Sequence, residues 1–350
     1  MSQLTTHSTL HSRLTCFICW IAPDPEKQEE NDAQASLARK NIGQNAAARG
    51  LRVLRTPPAG SDAKATGLRR HYLGHAEVDG YDVDLVFVLA SENADGKPLE
   101  ELLSLFEELV QKSYPNSTIQ ITKSSVKLIL SSDLSLDFVP MLATDNPEEQ
   151  IIIKRDGRKV MTSVEKHTAF VRSRTKKSKE SAGRVCFNEA LRAMKWHKEF
   201  QADGSYYLSY EEASGTDNRP PSALIDWLAA YAFDRLGVEK TYAETLAKWF
   251  GFLASVIKNR VPVYFTDYYA KPPVAKGANW VVLDPVNPDN NIVAKWGPMK
   301  IDEFASWFEK GRDSWSRIIR YDIDGDDALA LDELVKLFGN PFKHHCEKED

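Results

Sequence analysis

The sequence predicts an α+β protein, with a mixed α/β first half and a mainly helical second half. Three observations carry this expectation. Residues 83–89 are apolar apart from Asp84 and have the length of a strand buried on both faces. Residues 99–113 repeat with a helical period that lines up Leu102, Leu103, Phe106, Leu109 and Val110. Beyond residue 185, amphipathic helical patterns follow one another without a strand signal between them.

Taken in order, residues 8–21 read as a helix. Asp24 is placed to cap a second helix that begins at Pro25, carries Glu26 in its first turn and runs to about Gly50. Thr56-Pro57-Pro58-Ala59-Gly60 breaks it. The apolar strand 83–89 and the helix 99–113 come next. Residues 126–130 and 134–141 form two strands, and Ser131-Ser132-Asp133 between them suits the tight turn of a hairpin. In the second half, residues 187–200, 222–236, 242–258, 301–319 and 331–338 read as helices. They are punctuated at Arg219-Pro220-Pro221 and Lys271-Pro272-Pro273. The expected organisation is residues 1–165 as a core with leading helices, 166–342 as a helical domain and 343–350 as a polar tail.

The chain has 350 residues, 45 Lys+Arg against 50 Asp+Glu, and a net charge of −5. Its 42% apolar content excludes a disordered chain, and its length favours two domains over one core. The mild acidity argues against a dedicated polynucleotide binder, which carries a basic face, but not against a nucleotide substrate. Four cysteines, Cys16, Cys19, Cys186 and Cys346, do not make a disulfide framework. Cys16 and Cys19 lie in a short apolar run, where they read as buried structural thiols. No run reaches the roughly 18 apolar residues that cross a membrane. A reducing cytoplasm is expected.

Asp82 and Asp84 open the apolar strand one residue apart. The strand period of two puts both carboxylates on one face while Val83 turns to the core. Two adjacent anions repel unless a cation neutralises them, and a divalent metal ion is the natural candidate. Asp137 is likewise set in an apolar strand. If that strand lies beside the first, three carboxylates converge, a set able to hold two Mg²⁺ about 3.5–4 Å apart. Solvated strand-end aspartates are the plainer reading of the same residues. Upstream, Gly60-Ser61 followed by Thr66 can present backbone N–H groups and hydroxyls to a phosphate. Phosphoryl and nucleotidyl transfer need positioning and charge neutralisation more than a nucleophilic triad.

This pattern resembles the nucleotidyltransferases of the polymerase-beta-like superfamily, and more narrowly the bacterial cGAS/DncV-like nucleotidyltransferases. Their Gly-Ser turn is similar to Gly60-Ser61-Asp62-Ala63-Lys64-Ala65-Thr66. Their paired aspartates match Asp82-Val83-Asp84-Leu85, and their third-aspartate strand matches Leu136-Asp137-Phe138-Val139-Pro140. Leu283-Asp284-Pro285-Val286-Asn287-Pro288-Asp289-Asn290-Asn291 is similar to a downstream segment of the family. The helix around Lys195 looks like the one that carries a triphosphate-contacting lysine, and Ser222 matches the serine that follows it. The likeness spans about residues 20–342. It departs in the long stretch from Thr66 to Asp82, which carries Arg69, Arg70, His71 and His75. It departs also at Ala223, where animal relatives place a base-stacking aromatic.

The resemblance implies a two-lobed nucleotidyltransferase fold with the active site in the cleft. Asp82, Asp84 and Asp137 would be catalytic and would hold two Mg²⁺, with Mn²⁺ able to substitute. Gly60, Ser61, Thr66, Lys195 and Ser222 would contact the nucleotide. The implied activity is synthesis of a cyclic di- or trinucleotide second messenger from NTPs in anti-phage signalling. The implied partners are a downstream effector reached through the product, and regulatory proteins. Neither a membrane nor nucleic acid is expected as a partner. The competing readings are a linear oligonucleotide synthase, or a terminal nucleotidyltransferase on RNA or another acceptor.

Other signals remain open on sequence grounds. Asp322, Asp324, Asp326 and Glu333 have EF-hand spacing, but Asp327 stands where the loop wants glycine. A calcium-binding regulatory protein with an inactive site would follow from one reading, helix-capping aspartates from the other. The basic run Arg172-Ser173-Arg174-Thr175-Lys176-Lys177-Ser178-Lys179 suits a solvated loop or a phosphate-holding one. His167 and His344-His345-Cys346 read as surface residues.

Overall fold

The computed structural model describes residues 6–73, 76–79, 81–94, 99–130, 134–181, 185–202, 220–270 and 277–346. In chain order these form α1 (Thr6–Trp20), α2 (Pro25–Ala48), β1 (Val53–Arg55), α3 (Gly60–Ala63), β2 (Arg70–Leu73) and β3 (Ala76–Asp79). Then come β4 (Tyr81–Leu89), a 3-10 turn (Ser91–Ala94), α4 (Leu99–Ser113), β5 (Thr118–Ile121), β6 (Val126–Ile129) and β7 (Leu134–Ala143). β8 (Gln150–Ile153), β9 (Lys159–Thr162), α5 (Val164–Ser181), α6 (Phe187–Ala202) and α7 (Ser222–Leu236) follow. The last elements are α8 (Tyr242–Lys258), α9 (Pro298–Asp324), α10 (Asp327–Phe338) and α11 (Asn340–Cys346).

The chain divides into two units. A sheet unit comprises Pro23–Arg69 and Asp79–Phe170, and a helical unit comprises Met1–Ala22, Arg70–Val78 and Val171–Asp350. The expected α+β class is observed.

The sheet unit is built on the strand order β1-β4-β7-β6-β5, with β8 pairing β7 and β9 beyond it. β4 and β7 run parallel, while β1 with β4 and β6 with β7 are antiparallel. Val83, Leu85, Phe87 and Leu89 share one core with Leu136 and Phe138 of β7, with Ala35, Ala38, Ile42 and Ala46 of α2, and with the apolar stripe of α4. On the other face, Val86 and Val88 pack with Ala59, Met141 and Val164. β4 is therefore covered on both faces along its second half, which is why it reads as continuously apolar. Only its opening turns, at Asp82 and Asp84, carry charge.

α2 starts as its cap predicts, with the Asp24 carboxylate accepting a hydrogen bond from the Glu26 N–H at 3.1 Å. Pro140 is tolerated inside β7 for a local reason. The partnership with β6 ends at Phe138 and that with β8 begins at Met141, so the missing N–H breaks neither ladder. The β6–β7 hairpin is present, and its expected turn 131–133 lies outside the described residues. So do Arg219 and residues 271–273.

In the helical unit, Phe17 of α1 is fully buried against Trp196 of α6, Phe338 of α10 and Phe342 of α11. This aromatic knot explains why the leading helix groups with the helical unit rather than with the sheet. It also makes residues 343–346 part of a helix rather than of a polar tail, while 347–350 lie outside the described residues. The cysteines of α1 are not the buried pair the apolar run suggested. Cys16 is half-buried and Cys19 exposed, because the α1 face that packs is the one bearing Leu10, Leu14, Phe17 and Ile18. No helix among the described residues is long and apolar enough to cross a membrane.

Two further expectations are corrected. The basic run is not a loop but lies on α5. Its Arg174 is buried and its guanidinium donates to both carboxylates of Asp234 and Asp267. The EF-hand spacing does not form a calcium loop. Asp322 and Asp324 sit in the last turn of α9, which Gly325 ends in the left-handed conformation at φ +75°. Asp326 caps α10 through the Leu329 N–H, and Glu333 is held by Arg317 and Lys336. The helix-capping reading holds.

Candidate active site

The sheet register places the charged side chains. Asp84 on β4 pairs with Asp137 on β7, and Asp137 in turn pairs with Lys127 on β6. Residues opposite one another in adjacent strands point to the same face, so these three side chains form a row across the sheet. Asp82, two residues before Asp84, joins them on that face. The sequence reading anticipated this convergence of Asp82, Asp84 and Asp137, but not Lys127. The ammonium of Lys127 lies 3.2 Å from Asp82 Oδ1 and 3.6 Å from Asp137 Oδ2.

The carboxylates differ in depth. The Asp82 side chain is 55% exposed and that of Asp137 14%. Asp137 Oδ1 accepts a hydrogen bond from Ser125 Oγ at 2.9 Å. Burial, followed by the charges of Asp82 and Asp137, pushes the Asp84 carboxyl up to about 7, against the weaker pull of Lys64 and Lys127. Burial and Asp82 also raise Asp137, with Lys127 and Ser125 opposing. For Lys127, burial works to lower its pKa, but Asp82 and Asp137 together outweigh it. Lys127 thus pairs with Asp82 and Asp137, while burial and its two acidic neighbours outweigh Lys64 and Lys127 at Asp84.

The Gly-Ser turn is fitted to the same carboxylate. Pro58 bridges to Leu85 of β4 and brings the turn alongside the strand. Gly60 has φ +72°, and a Cβ there would lie 1.9 Å from Asp84 Oδ2. Only glycine meets both conditions. The turn closes on itself, with the Thr66 N–H donating to Ser61 O at 2.9 Å and the Thr66 hydroxyl to the same oxygen at 3.4 Å. Thr66 is fully buried, so it shapes the turn from beneath, whereas Ser61 is partly exposed.

The remaining predicted nucleotide contacts, Lys195 and Ser222, lie in the helical unit. The structure does not bring those two together. Lys195 is buried on α6 in an ion pair with Asp226 at 2.7 Å. The exposed Ser222 at the start of α7 instead accepts a hydrogen bond from Lys198, one helical turn further along α6, at 3.1 Å. Lys198 is a residue that sequence reasoning missed, and only the helical period of α6 pointed to it. In the segment similar to the family's downstream motif, Asp284 accepts from the Val286 N–H and from Asn290 Nδ2. Asn291 Oδ1 accepts from the Val282 N–H. These side chains fold their own loop.

Among the described residues, no group of three or more His, Cys, Asp or Glu side chains is gathered closely enough to hold a metal ion as it stands. The donor set nonetheless fits one. Hard carboxylate oxygens on a shared sheet face are what Mg²⁺ takes, and a bound cation would offset the burial and the neighbouring charges of Asp82 and Asp137 that raise the Asp84 carboxyl.

No family model matches the sequence. A cyclic AMP-AMP-AMP synthase from Escherichia coli (strain MS 115-1) is 26% identical over 294 residues, covering 82% of each chain. The solved structure of E. coli MS115-1 CdnC with ATP superposes with a TM-score of 0.73 at 22% identity, covering 95% of this chain and 98% of that one. CdnC has also been solved as a complex with HORMA-deltaN. The Bradyrhizobium diazoefficiens CD-NTase CdnG in complex with GTP gives a TM-score of 0.71 at 18% identity, covering 97% of both chains. In fold the chain is similar to the CD-NTases CdnC and CdnG, and in sequence to the cyclic AMP-AMP-AMP synthase.

Proposed function

We propose that this protein is a nucleotidyltransferase that builds a cyclic di- or trinucleotide second messenger from NTPs. The observation that carries the reading is the seating of the Gly60-Ser61 turn against Asp84, in one row with Asp137 and beside Asp82. In the reaction, a ribose hydroxyl oxygen attacks the α-phosphorus of an NTP. The new P–O bond forms as the bond to pyrophosphate breaks, and the hydroxyl proton is lost. Asp82, Asp84 and Asp137 would hold two Mg²⁺, or Mn²⁺ in their place. When bound, these ions supply charge neutralisation for the triphosphate and lower the pKa of the attacking hydroxyl.

This chain's own residues supply positioning. Gly60 lets the backbone pass within contact distance of Asp84, so the phosphate-facing turn and the carboxylate row are fixed to each other. Ser61 offers its hydroxyl to the phosphates, and Thr66 holds the turn in shape from below. Ser125 fixes one oxygen of Asp137, which orients the other. Lys195, Ser222 and, next to Ser222, Lys198 are proposed nucleotide contacts in the helical unit.

The named product of the E. coli relative makes ATP the first nucleotide to test. The reading extends to a cytoplasmic role in anti-phage signalling, with an effector that responds to the product. The CdnC complex with HORMA-deltaN suggests a regulatory protein of that kind as partner. The test is incubation of the protein with each NTP and Mg²⁺ or Mn²⁺, followed by phosphatase treatment and mass spectrometry. A phosphatase-resistant product from NTPs alone is expected. A phosphatase-sensitive product would indicate a linear oligonucleotide synthase, and dependence on added RNA a terminal nucleotidyltransferase.

A further inference from the structure

Lys127 is a charged side chain, in contact with the carboxylates, that the proposed reaction does not use. Its position is fixed by register opposite Asp137, so it points at the carboxylate face by construction. Its ammonium bridges Asp82, the outermost acid, and Asp137, which lie on different strands. Its side chain is 25% exposed, and a four-carbon stem gives it room to swing out. A divalent ion held by the same oxygens would be repelled by an ammonium about 3 Å from them, so the two cannot both occupy those contacts at full strength.

We propose that Lys127 is a resident counter-ion, which holds Asp82 and Asp137 together while no metal is bound and competes with the divalent cation for them. The proposal rests on the reading of the trio as the metal-holding residues. A purely structural lysine behaves differently: its loss would loosen the site and weaken metal binding. A competing lysine predicts the opposite sign for metal affinity together with a loss of metal-free stability. The lysine then sets the divalent concentration at which the site fills, and keeps the three carboxylates in register below it.

The experiment is a titration of the full-length, nucleotide-free protein with Mn²⁺, followed by electron paramagnetic resonance or calorimetry. It compares the wild type with Lys127→Met, Lys127→Arg and Asp84→Asn. Lys127→Met is expected to bind Mn²⁺ about tenfold more tightly, equivalent to about 1.4 kcal/mol. Its melting temperature should fall without metal and return to the wild-type value at saturating Mn²⁺. Lys127→Arg, which keeps the charge, should bind Mn²⁺ within about twofold of wild type, since the charge is what competes. Equal or weaker Mn²⁺ binding by a folded Lys127→Met overturns the proposal. Mn²⁺ binding that Asp84→Asn leaves untouched would place the ion elsewhere and overturn the metal-site reading itself.

Discussion

In the helical unit, Arg174 spreads its guanidinium over Asp234 and Asp267, Lys195 pairs with Asp226, and Glu333 lies between Arg317 and Lys336. In the sheet unit, Lys127 pairs with Asp82 and Asp137, and the Asp84 carboxyl is pushed up to about 7 despite Lys64 and Lys127. Both regions bury charge. The helical unit matches each charge with partners in fixed geometry, which makes its ions part of the architecture. The sheet unit leaves an excess of negative charge on one face of an otherwise apolar strand. Such an imbalance costs stability, and it persists where a ligand supplies the missing charge. The difference separates a structural ion pair from a site without reference to any relative.

Three substitutions probe that contrast. Arg174→Met strips a cation from two carboxylates and leaves its stem in place. It should destabilise the protein by about 3 kcal/mol, because removing one partner of a buried pair strands the other. Denaturant unfolding measures the loss, and Mn²⁺ affinity should not change. If the substitution proved neutral, the helical unit's ions would not be the structural matches described.

Gly60→Ala acts on the seam between turn and carboxylate. Strain at φ +72° and the overlap with Asp84 Oδ2 should cost about 1–3 kcal/mol. Displacement of Asp84 by even about an ångström should lower product formation by about a hundredfold. Steady-state rates on the folded variant check this. A rate near wild type would mean that the turn and the carboxylate need not be fitted to each other.

Asp84→Asn should have the opposite sign on stability. The folded-state carboxyl is raised, so the folded protein holds a proton that the unfolded chain releases near 3.8, and stability falls as pH rises from about 4 to about 7. Removing the charge should therefore stabilise the metal-free protein by about 4 kcal/mol at pH 8 and leave it nearly unchanged at pH 4. Thermal melts at the two pH values without divalent cations test it. The same substitution in the matched Asp226, which would strand Lys195, should destabilise instead.

Much of this was legible in the sequence, and the gaps have physical causes. The apolar strand β4, the stripe of α4 and the helices of the second half carry strong periodicities that tertiary context did not override. The convergence of Asp82 and Asp84 with Asp137 followed from the strand period and the assumption of adjacent strands. β1, β5, β8 and β9 were not legible, because strands of three or four residues give no period to read. Lys127 was invisible for a different reason: its place beside Asp137 depends on the hairpin register, which the residue pattern alone leaves open. The allegiance of α1 depends on Phe17 reaching Phe338 and Phe342, contacts separated by most of the chain. The EF-hand spacing forms no calcium loop because Gly325 ends α9 two residues before the loop would need its turn, a departure already visible at Asp327.

The most direct measurement compares the wild type with an Asp82→Ala, Asp84→Ala double variant, incubated with ATP and the other NTPs in Mg²⁺ or Mn²⁺, with products resolved by mass spectrometry. The account predicts a cyclic oligonucleotide and pyrophosphate from the wild type. It predicts no product from a double variant that melts at or above the wild-type temperature without metal. Full turnover by that folded variant would contradict it, because the unmatched carboxylates would then not be the site of the chemistry.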